Sequence, residues 1–497
     1  MKRTRESVIV IGAGIAGLST GCYGQMNGYR TQIFELHTQP GGLCTAWKRK
    51  GYTFDGCIHH LAGSGPSSRL YRVWQELGAF QGRKLLFHDD LVRVEMPDGQ
   101  ALTVYTDIDR LESYLKALAP EDGAVIAEYI RAARGFLGFD MLAMPLATPW
   151  EMVRVLPMMP LLAKWGKITL EQFAGRFRNP LLRQAFPTVQ YDLPGVPVVV
   201  HLNFLAGCHS RILGWPEGGS LAFARSIAVR YEALGGEIHY QSRVDKILVK
   251  DDRAVGVRLA DGTEHRADVV VSAADGHTTI FEMLDGRYVD DRIRAYYDAA
   301  PDAVEMSLSV SLGVARDMAG EPHALTLFLE QPVTVMGQLH DRLDVEIFNF
   351  DPALAPAGKT SLKVLFKASY AFWQALRVDR ARYDEEKHRI AETVIAQLDG
   401  RFPGLAQQVE AVDVATPLTI ERFTGNWRGL QAWTPPGQAI SAAMKGFTRT
   451  LPGLEDFCMA GQWGEAMIGV STAAISGRNL VERLCRQDGK RFDTLLP

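Results

Sequence analysis

Six cysteines, at positions 22, 44, 57, 208, 458 and 485, are spread through 497 residues, and no two of them stand in a C-x-x-C. Neither a zinc site nor a disulfide framework is indicated, so a reduced, cytosolic protein is the expectation. No stretch of membrane-spanning length is free of charge. Charge of one sign is missing too: 54 Lys and Arg face 57 Asp and Glu, a formal net of -3. Basic residues are dispersed apart from Lys2-Arg3-Thr4-Arg5 and Lys48-Arg49-Lys50, so nucleic acid is not an expected partner. The N-terminal basic group reads as a solvated tail rather than a signal peptide, because the apolar run behind it is a strand. There is no internal repeat, no low-complexity segment, no Ser-His-Asp set and no metal cluster. What remains is ordinary globular composition, 47% hydrophobic and 22% charged, in a chain long enough for two domains.

The informative part lies near the start. Val8-Ile9-Val10-Ile11 runs into Gly12-Ala13-Gly14-Ile15-Ala16-Gly17, which opens a helix pattern with Ile15, Leu18 and Cys22 on one face. In G-x-G-x-x-G, Gly12 permits the tight turn, Gly14 lets backbone approach a pyrophosphate, and Gly17 lets helix and strand pack closely. The helix N-terminus adds unpaired N–H groups and a positive dipole end. Tyr29 to Phe34 reads as the second strand, ending at Glu35, where a ribose diol needs an acceptor. Glu35 would repel a 2′-phosphate, which argues against NADP. Gly41-Gly42 points to a second close backbone approach to a longer ligand, and so to FAD. A second G-x-G-x-x-G is absent, which leaves a separate nicotinamide domain unsupported.

More specific motifs follow: Gly41-Gly42-Leu43-Cys44-Thr45-Ala46-Trp47, Gly51-Tyr52-Thr53-Phe54-Asp55-Gly56, Trp215-Pro216-Glu217-Gly218-Gly219, Ala267 to Asp275, and Met459-Ala460-Gly461-Gln462-Trp463. With these the chain resembles the phytoene desaturase, carotenoid isomerase and retinol saturase group of flavoproteins, distant relatives of amine oxidases. The resemblance implies an α/β fold in which a Rossmann-type FAD-binding domain (1–84, 206–284, 446–497) is interleaved with an α+β substrate domain (85–205, 285–445). It implies FAD contacts from Gly12, Gly14, Ile15, Ala16, Gly17, Glu35, Leu36, Gly41, Gly42, Leu43, Val244, Ala273, Ala274, Gly461, Gln462, Gly469, Val470 and Ser471, with Val244 at the adenine. Within that frame a helix begins at Ser220 with Leu221, Ala224, Ala228 and Tyr231 on one face. Strands are expected at 237–240, 244–249, 254–259 and 268–272, and a helix from Ser471 to Leu484. Two departures bear on the substrate: Leu43 replaces a frequent Arg, and Gly464 to Val470 lacks the Pro-Gly-rich turn of many carotenoid desaturases.

Catalytic side chains are few, as hydride chemistry needs mainly geometry. His59 and His60 follow the F-D segment that in related enzymes passes the isoalloxazine. They read equally as proton carriers or as one core histidine bonded to backbone with the other half exposed. Glu465 is either an acid at the flavin edge or a surface residue. Asp55 reads as structural, orienting a loop. From Phe136 to Trp165, five methionines and four prolines predict short helices, either a lid for a lipophilic substrate that touches a membrane surface or a buried subdomain. Val196 to Leu205 reads as a strand lining the cavity, and Phe372, Trp373, Trp427 and Trp433 as core or cavity wall.

The expected function is FAD-dependent oxidation, reduction or isomerisation at C–C and C=C bonds of a hydrophobic small molecule or lipid. A carotenoid or other isoprenoid comes first and an unsaturated fatty acyl chain second. An amine oxidase is weaker for want of an aromatic cage. A non-redox prenyl carrier of the GDP-dissociation-inhibitor type is the alternative from another class. The expected location is cytoplasmic, peripheral to the inner face of a membrane if the methionine-rich segment meets lipid. Nothing in the sequence speaks to oligomeric state.

Overall fold

Val8, Ile9, Val10 and Ile11 are all buried, which is the pattern of a strand covered on both faces at the centre of a parallel sheet. The computed structural model describes residues 5–190, 193–298, 305–430, 449–465 and 469–497. In it, Ser7–Ile11 (β1) lies inside a five-stranded sheet with Arg30–Phe34 (β2), Glu237–His239 (β10), Val269–Ser272 (β14) and Phe457–Met459 (β20). The order is β10-β2-β1-β14-β20 and every pairing is parallel. Three distant parts of the chain thus build one sheet. Helix α1 (Ile15–Met26) crosses from β1 to β2, and its buried Ile15, Leu18 and Cys22 face the core as its pattern requires. A side sheet of Val244–Lys250 (β11), Arg253–Leu259 (β12) and Glu264–Arg266 (β13) is antiparallel.

The last helix, Val470–Asp488 (α5), packs along α1. The contact is close because α5 places a glycine there: a Cβ on Gly477 would stand 2.7 Å from both Ala16 O and Thr20 N. The Ser19 hydroxyl also donates to Ala474 O at 2.6 Å. On the other flank, Gly219–Ala233 (α3) buries Phe223, Ala224, Ile227, Ala228 and Tyr231, with Leu221 only half-buried. The Tyr231 hydroxyl donates to Thr31 O at 2.8 Å.

A seven-stranded sheet forms the second layer: Asp90–Glu95 (β7), Ala101–Tyr105 (β8), Glu305–Val314 (β15), Ala324–Val335 (β16), Gln338–Ile347 (β17), Thr360–Ser369 (β18) and Val409–Ala415 (β19). Its order is β19-β15-β18-β17-β16-β7-β8, antiparallel except where β16 meets β7. Helix α4 (Arg380–Arg401) covers it with Tyr383, Ile390, Val394 and Leu398. A hairpin of Ala46–Arg49 (β3) and Tyr52–Asp55 (β4) lies between the two layers. The short strands Leu61–Ala62 (β5), Leu85–Leu86 (β6) and Leu213–Pro216 (β9) form a small sheet beside it.

Three expectations are corrected. Val196 to Leu205 is no strand: Val198–His209 forms helix α2, burying Val198, His201, Leu202, Leu205 and Ala206. Those positions follow the helical period, and tertiary burial outweighs the β-branched preference of the three valines. Arg5 is not part of a solvated tail, since its guanidinium binds Asp456 at 2.8 Å and Asp488 at 3.0 Å. The buried reading of Phe136–Trp165 holds only in part. That segment forms the short helices Met141–Leu146, Pro149–Val155, Leu156–Met158 and Met159–Trp165. Trp165 is buried, yet Leu137, Trp150, Met152, Val153, Leu156 and Met159 are exposed. Trp373 and Phe372 belong to the core under α4, whereas Trp433 lies outside the described residues. Among the described residues, no helix is long and apolar enough to cross a membrane.

Gly477→Ala tests the α1–α5 contact. In an open helix interior this change stabilises by about 1 kcal/mol. Here overpacking against backbone should reverse the sign and cost about 1–3 kcal/mol, read as a lower urea midpoint. A midpoint at or above wild type would show that the helices separate freely.

Candidate functional site

The turn between β1 and α1 is organised by Glu35, which follows β2. One carboxylate oxygen accepts the Ala13 N–H at 2.7 Å and the other accepts the His37 N–H at 2.8 Å. Burial raises the Glu35 pKa, against the lowering effect of those backbone bonds. Gly12 takes φ +94° there, and a Cβ on Gly17 would collide with Gly12 O at 1.9 Å. The second glycine turn closes over the first: Gly14 and Gly41 form a parallel bridge, and Gly41 N donates to Ala13 O at 2.9 Å. Gly42 sits beside Gly14, with half-buried Leu43 next in line.

This cradle fits a dinucleotide. Helix α1 starts at Gly14 with no side-chain cap and no acid in its first turn, Ile15-Ala16-Gly17, so those amides and the helix dipole suit a pyrophosphate. A Cβ on Gly14 would meet nothing nearer than Gly41 O at 3.9 Å, so the space in front of it is open. A carboxylate has about four acceptor sites, so Glu35 retains capacity for a diol. Ser242 N donates to Glu35 O at 2.8 Å, which brings buried Val244 close at the start of β11. Leu36 is partly exposed. Ala273 and Ala274 follow β14, with Ala273 O 3.4 Å from a Cβ on Gly12.

At the other end, Gly461 packs on α1, its added Cβ 3.3 Å from the Ala16 methyl, and its N–H donates to Ser476 at 2.7 Å. Gln462 opens a short helix, Gln462–Glu465; the Glu465 side chain lies outside the described set. Helix α5 begins after Gly469 with Val470 and Ser471, again with no side-chain cap and no acid in its first turn. The Ser471 hydroxyl donates to Ala62 O at 3.2 Å, tying the α5 N-terminus to the strand that follows His59 and His60. Sequence reasoning passed over Asp275. It is buried, its pKa is raised to about 6 by burial, one oxygen accepts the Thr278 N–H at 2.8 Å, and the other has no partner among the described residues.

The two histidines differ sharply. His59 Nδ1 bonds to the Glu346 carboxylate of β17, Glu346 pairs with Lys363 of β18 at 2.5 Å, and Lys363 donates to Asp55 O at 3.2 Å. Burial alone would push the Glu346 pKa up, but the charges and hydrogen bonds of His59 and Lys363 outweigh it and hold it well below the usual carboxylate range. His60 has aromatic company. It stands edge-on to His88 at 5.8 Å, His323 at 6.0 Å and Phe204 at 5.1 Å, and burial pushes its pKa well below the usual imidazole value. His88 stacks on His323 at 3.6 Å, and burial takes its pKa to about 3. Asp90 holds His323 Nδ1 at 3.1 Å. His59 is therefore the one with ionised partners, and His60 is a neutral wall. Asp55 orients the loop as expected, accepting from Ser220 N at 2.6 Å and Cys57 N at 3.1 Å. Glu346, Lys363, His88 and His323 had no sequence signal, because they stand alone in segments that only the second sheet brings here.

Comparison with known proteins extends the pattern. A family model described as an NAD(P)-binding Rossmann-like domain matches residues 10–77. The chain is 26% identical to prolycopene isomerase, chloroplastic, of Arabidopsis thaliana over 505 residues, 97% of this chain and 83% of that protein. It is 26% identical over 453 residues to the lycopene-forming phytoene desaturase of Pseudescherichia vulneris, 84% of this chain and 86% of that protein. Among solved structures, a triple mutant of putrescine oxidase superposes with a TM-score of 0.62 at 15% identity, covering 97% of this chain and 99% of its own. That likeness shows the fold: a Rossmann-type sheet joined to a second sheet in the amine-oxidase manner. The resemblance seen in the motifs extends over nearly the whole chain, and these relatives are enzymes.

Glu346→Gln strips Lys363 of its counter-charge and should cost about 3 kcal/mol at pH 7. Because the folded carboxylate has a depressed pKa, its contribution is fully present above the ordinary Glu range. It fades as pH falls below about 4.3, where the two proteins should converge in urea unfolding. Equal stability at pH 7 would mean that the pair is solvated.

Proposed function

We propose that the chain is an FAD-dependent oxidoreductase acting on C–C or C=C bonds of a lipophilic substrate, a carotenoid or other isoprenoid polyene. A long-chain unsaturated fatty acyl group is the second substrate class. The observation that carries this reading is the near-full-length similarity to a carotenoid isomerase and a carotenoid desaturase, on a chain whose glycine cradle fits a dinucleotide. A bound isoalloxazine supplies two-electron or electron-transient chemistry.

The protein's part is binding, orientation and proton handling. Gly12, Gly14 and Gly17 with the α1 amides would take the pyrophosphate, Glu35 the ribose, and the backbone at Val244 the adenine. Gly41, Gly42, Leu43, Gly461 and Gln462 would flank the ring end. The N-terminus of α5 at Gly469, Val470 and Ser471 would stabilise negative charge there. Residues 85–205 and 285–445 would bind substrate. His59, held by Glu346, is placed to keep or move a proton, while His60 and His88 stay neutral and exclude water. The exposed Trp150, Met152, Val153, Leu156 and Met159 support access from a lipid surface.

The purified protein should be yellow, and its oxidised spectrum should bleach anaerobically on addition of a host lipid extract if it acts as a desaturase. A spectrum that stays oxidised would shift the reaction to isomerisation or saturation by the reduced form. A colourless protein that binds prenylated peptides would overturn it in favour of a carrier. Gly14→Val should unfold like the flavin-free wild type, since φ there is -67° and only the stabilisation by bound ligand is lost, and should lack the chromophore; a yellow variant would refute the cradle. His59→Ala should slow turnover by roughly 10²–10⁴-fold with flavin retained, and unchanged turnover would remove it from the reaction.

A further inference from the structure

Cys44 and Cys57 share no motif, but the β3–β4 hairpin brings them face to face. Ala46 pairs with Asp55, and one step further out Gly56 N donates to Thr45 O at 3.0 Å. Cys44 and Cys57 flank that hydrogen-bonded pair on the two arms, just beyond the paired strands. A hydrogen-bonded antiparallel pair has Cα atoms about 5.5 Å apart, so residues next to it are within reach of the roughly 4.4–6.8 Å that a disulfide spans. The Cys44 side chain lies against the start of α3. There the Cys44 thiol donates to Ser220 O at 3.5 Å, and Ser220 itself bonds Asp55 and Ile58 N. The two thiols lie close enough to share a hydrogen bond, which with burial holds Cys44 protonated far above the usual thiol range. Cys44 is buried and Cys57 half-buried.

We propose that Cys44 and Cys57 are a redox-active dithiol that exchanges with low-molecular-weight disulfides. The Cys57 thiolate attacks one sulfur of such a disulfide, forming a mixed disulfide and expelling one thiolate. Cys44 then attacks the Cys57 sulfur, its proton passing to the first expelled thiolate, closes the Cys44–Cys57 bond and expels the second thiolate. Two protein thiols are oxidised by two electrons and one external disulfide becomes two thiols. Exposure assigns the roles: Cys57 is reachable from solvent and Cys44 is the resolving partner. Closure would clamp the hairpin at the point between the Gly41-Gly42 turn and the loop carrying His59.

The test treats the purified, flavin-loaded protein with glutathione disulfide, blocks remaining thiols, and maps tryptic peptides by mass spectrometry. The expected product is a reducible link between the peptide 31–48 and the peptide 51–69. Cys44→Ala should trap glutathione on Cys57, and Cys57→Ser should leave Cys44 unmodified. Glutathione on wild-type Cys57 without the link would overturn the proposal, as would a Cys57 that reacts no faster than Cys458. The wild-type map alone decides the matter if either variant fails to fold.

Discussion

Everything in this molecule hangs on the close approach of backbone around helix α1. Gly17 lets α1 lie on the β1 turn, and Gly477 lets α5 lie on α1, each at a distance that a methyl group would forbid. The first and last segments of the chain are thereby locked together, with the Ser19 hydroxyl bonding across the seam to Ala474 O. Both uncapped helix N-termini, those of α1 and α5, are held in one piece as a result. A long dinucleotide needs that arrangement, because one helix end suits the pyrophosphate and the other suits a ring that gains negative charge.

A second constraint joins the two sheets. Lys363 is buried on β18 with Glu346 of β17 on one side and the Asp55 segment on the other. A buried ammonium without a counter-charge is costly, and a buried carboxylate likewise. Together they tolerate burial, and they bring His59 into a charged setting while His60, the next residue, packs among His88, His323 and Phe204. Adjacent residues of one type thus acquire opposite electrostatic roles, decided by strands roughly three hundred positions away.

The hairpin that carries Asp55 also brings Cys44 opposite Cys57, so a short antiparallel ladder links the glycine turn, the thiol pair and the histidine loop.

The sequence by itself determined the Rossmann-type half. Strand, G-x-G-x-x-G, helix, second strand and Glu35 are contiguous, and local periodicity plus glycine spacing encode them directly, so Gly12, Gly14, Gly17, Glu35 and Gly41 were legible. The final helix and the side sheet were legible for the same reason. Tertiary structure decided what depends on partners remote in sequence. It made Val198–His209 a helix, because burial at helical spacing outweighs the valines' preference. It left Trp150 and Leu156 exposed, although their composition reads equally as core. It supplied Glu346 and Lys363 to His59, gave His60 its aromatic surroundings, and set Cys44 near Cys57. No local pattern encodes these, since each arises from long-range contacts whose energies exist only once the two sheets have packed.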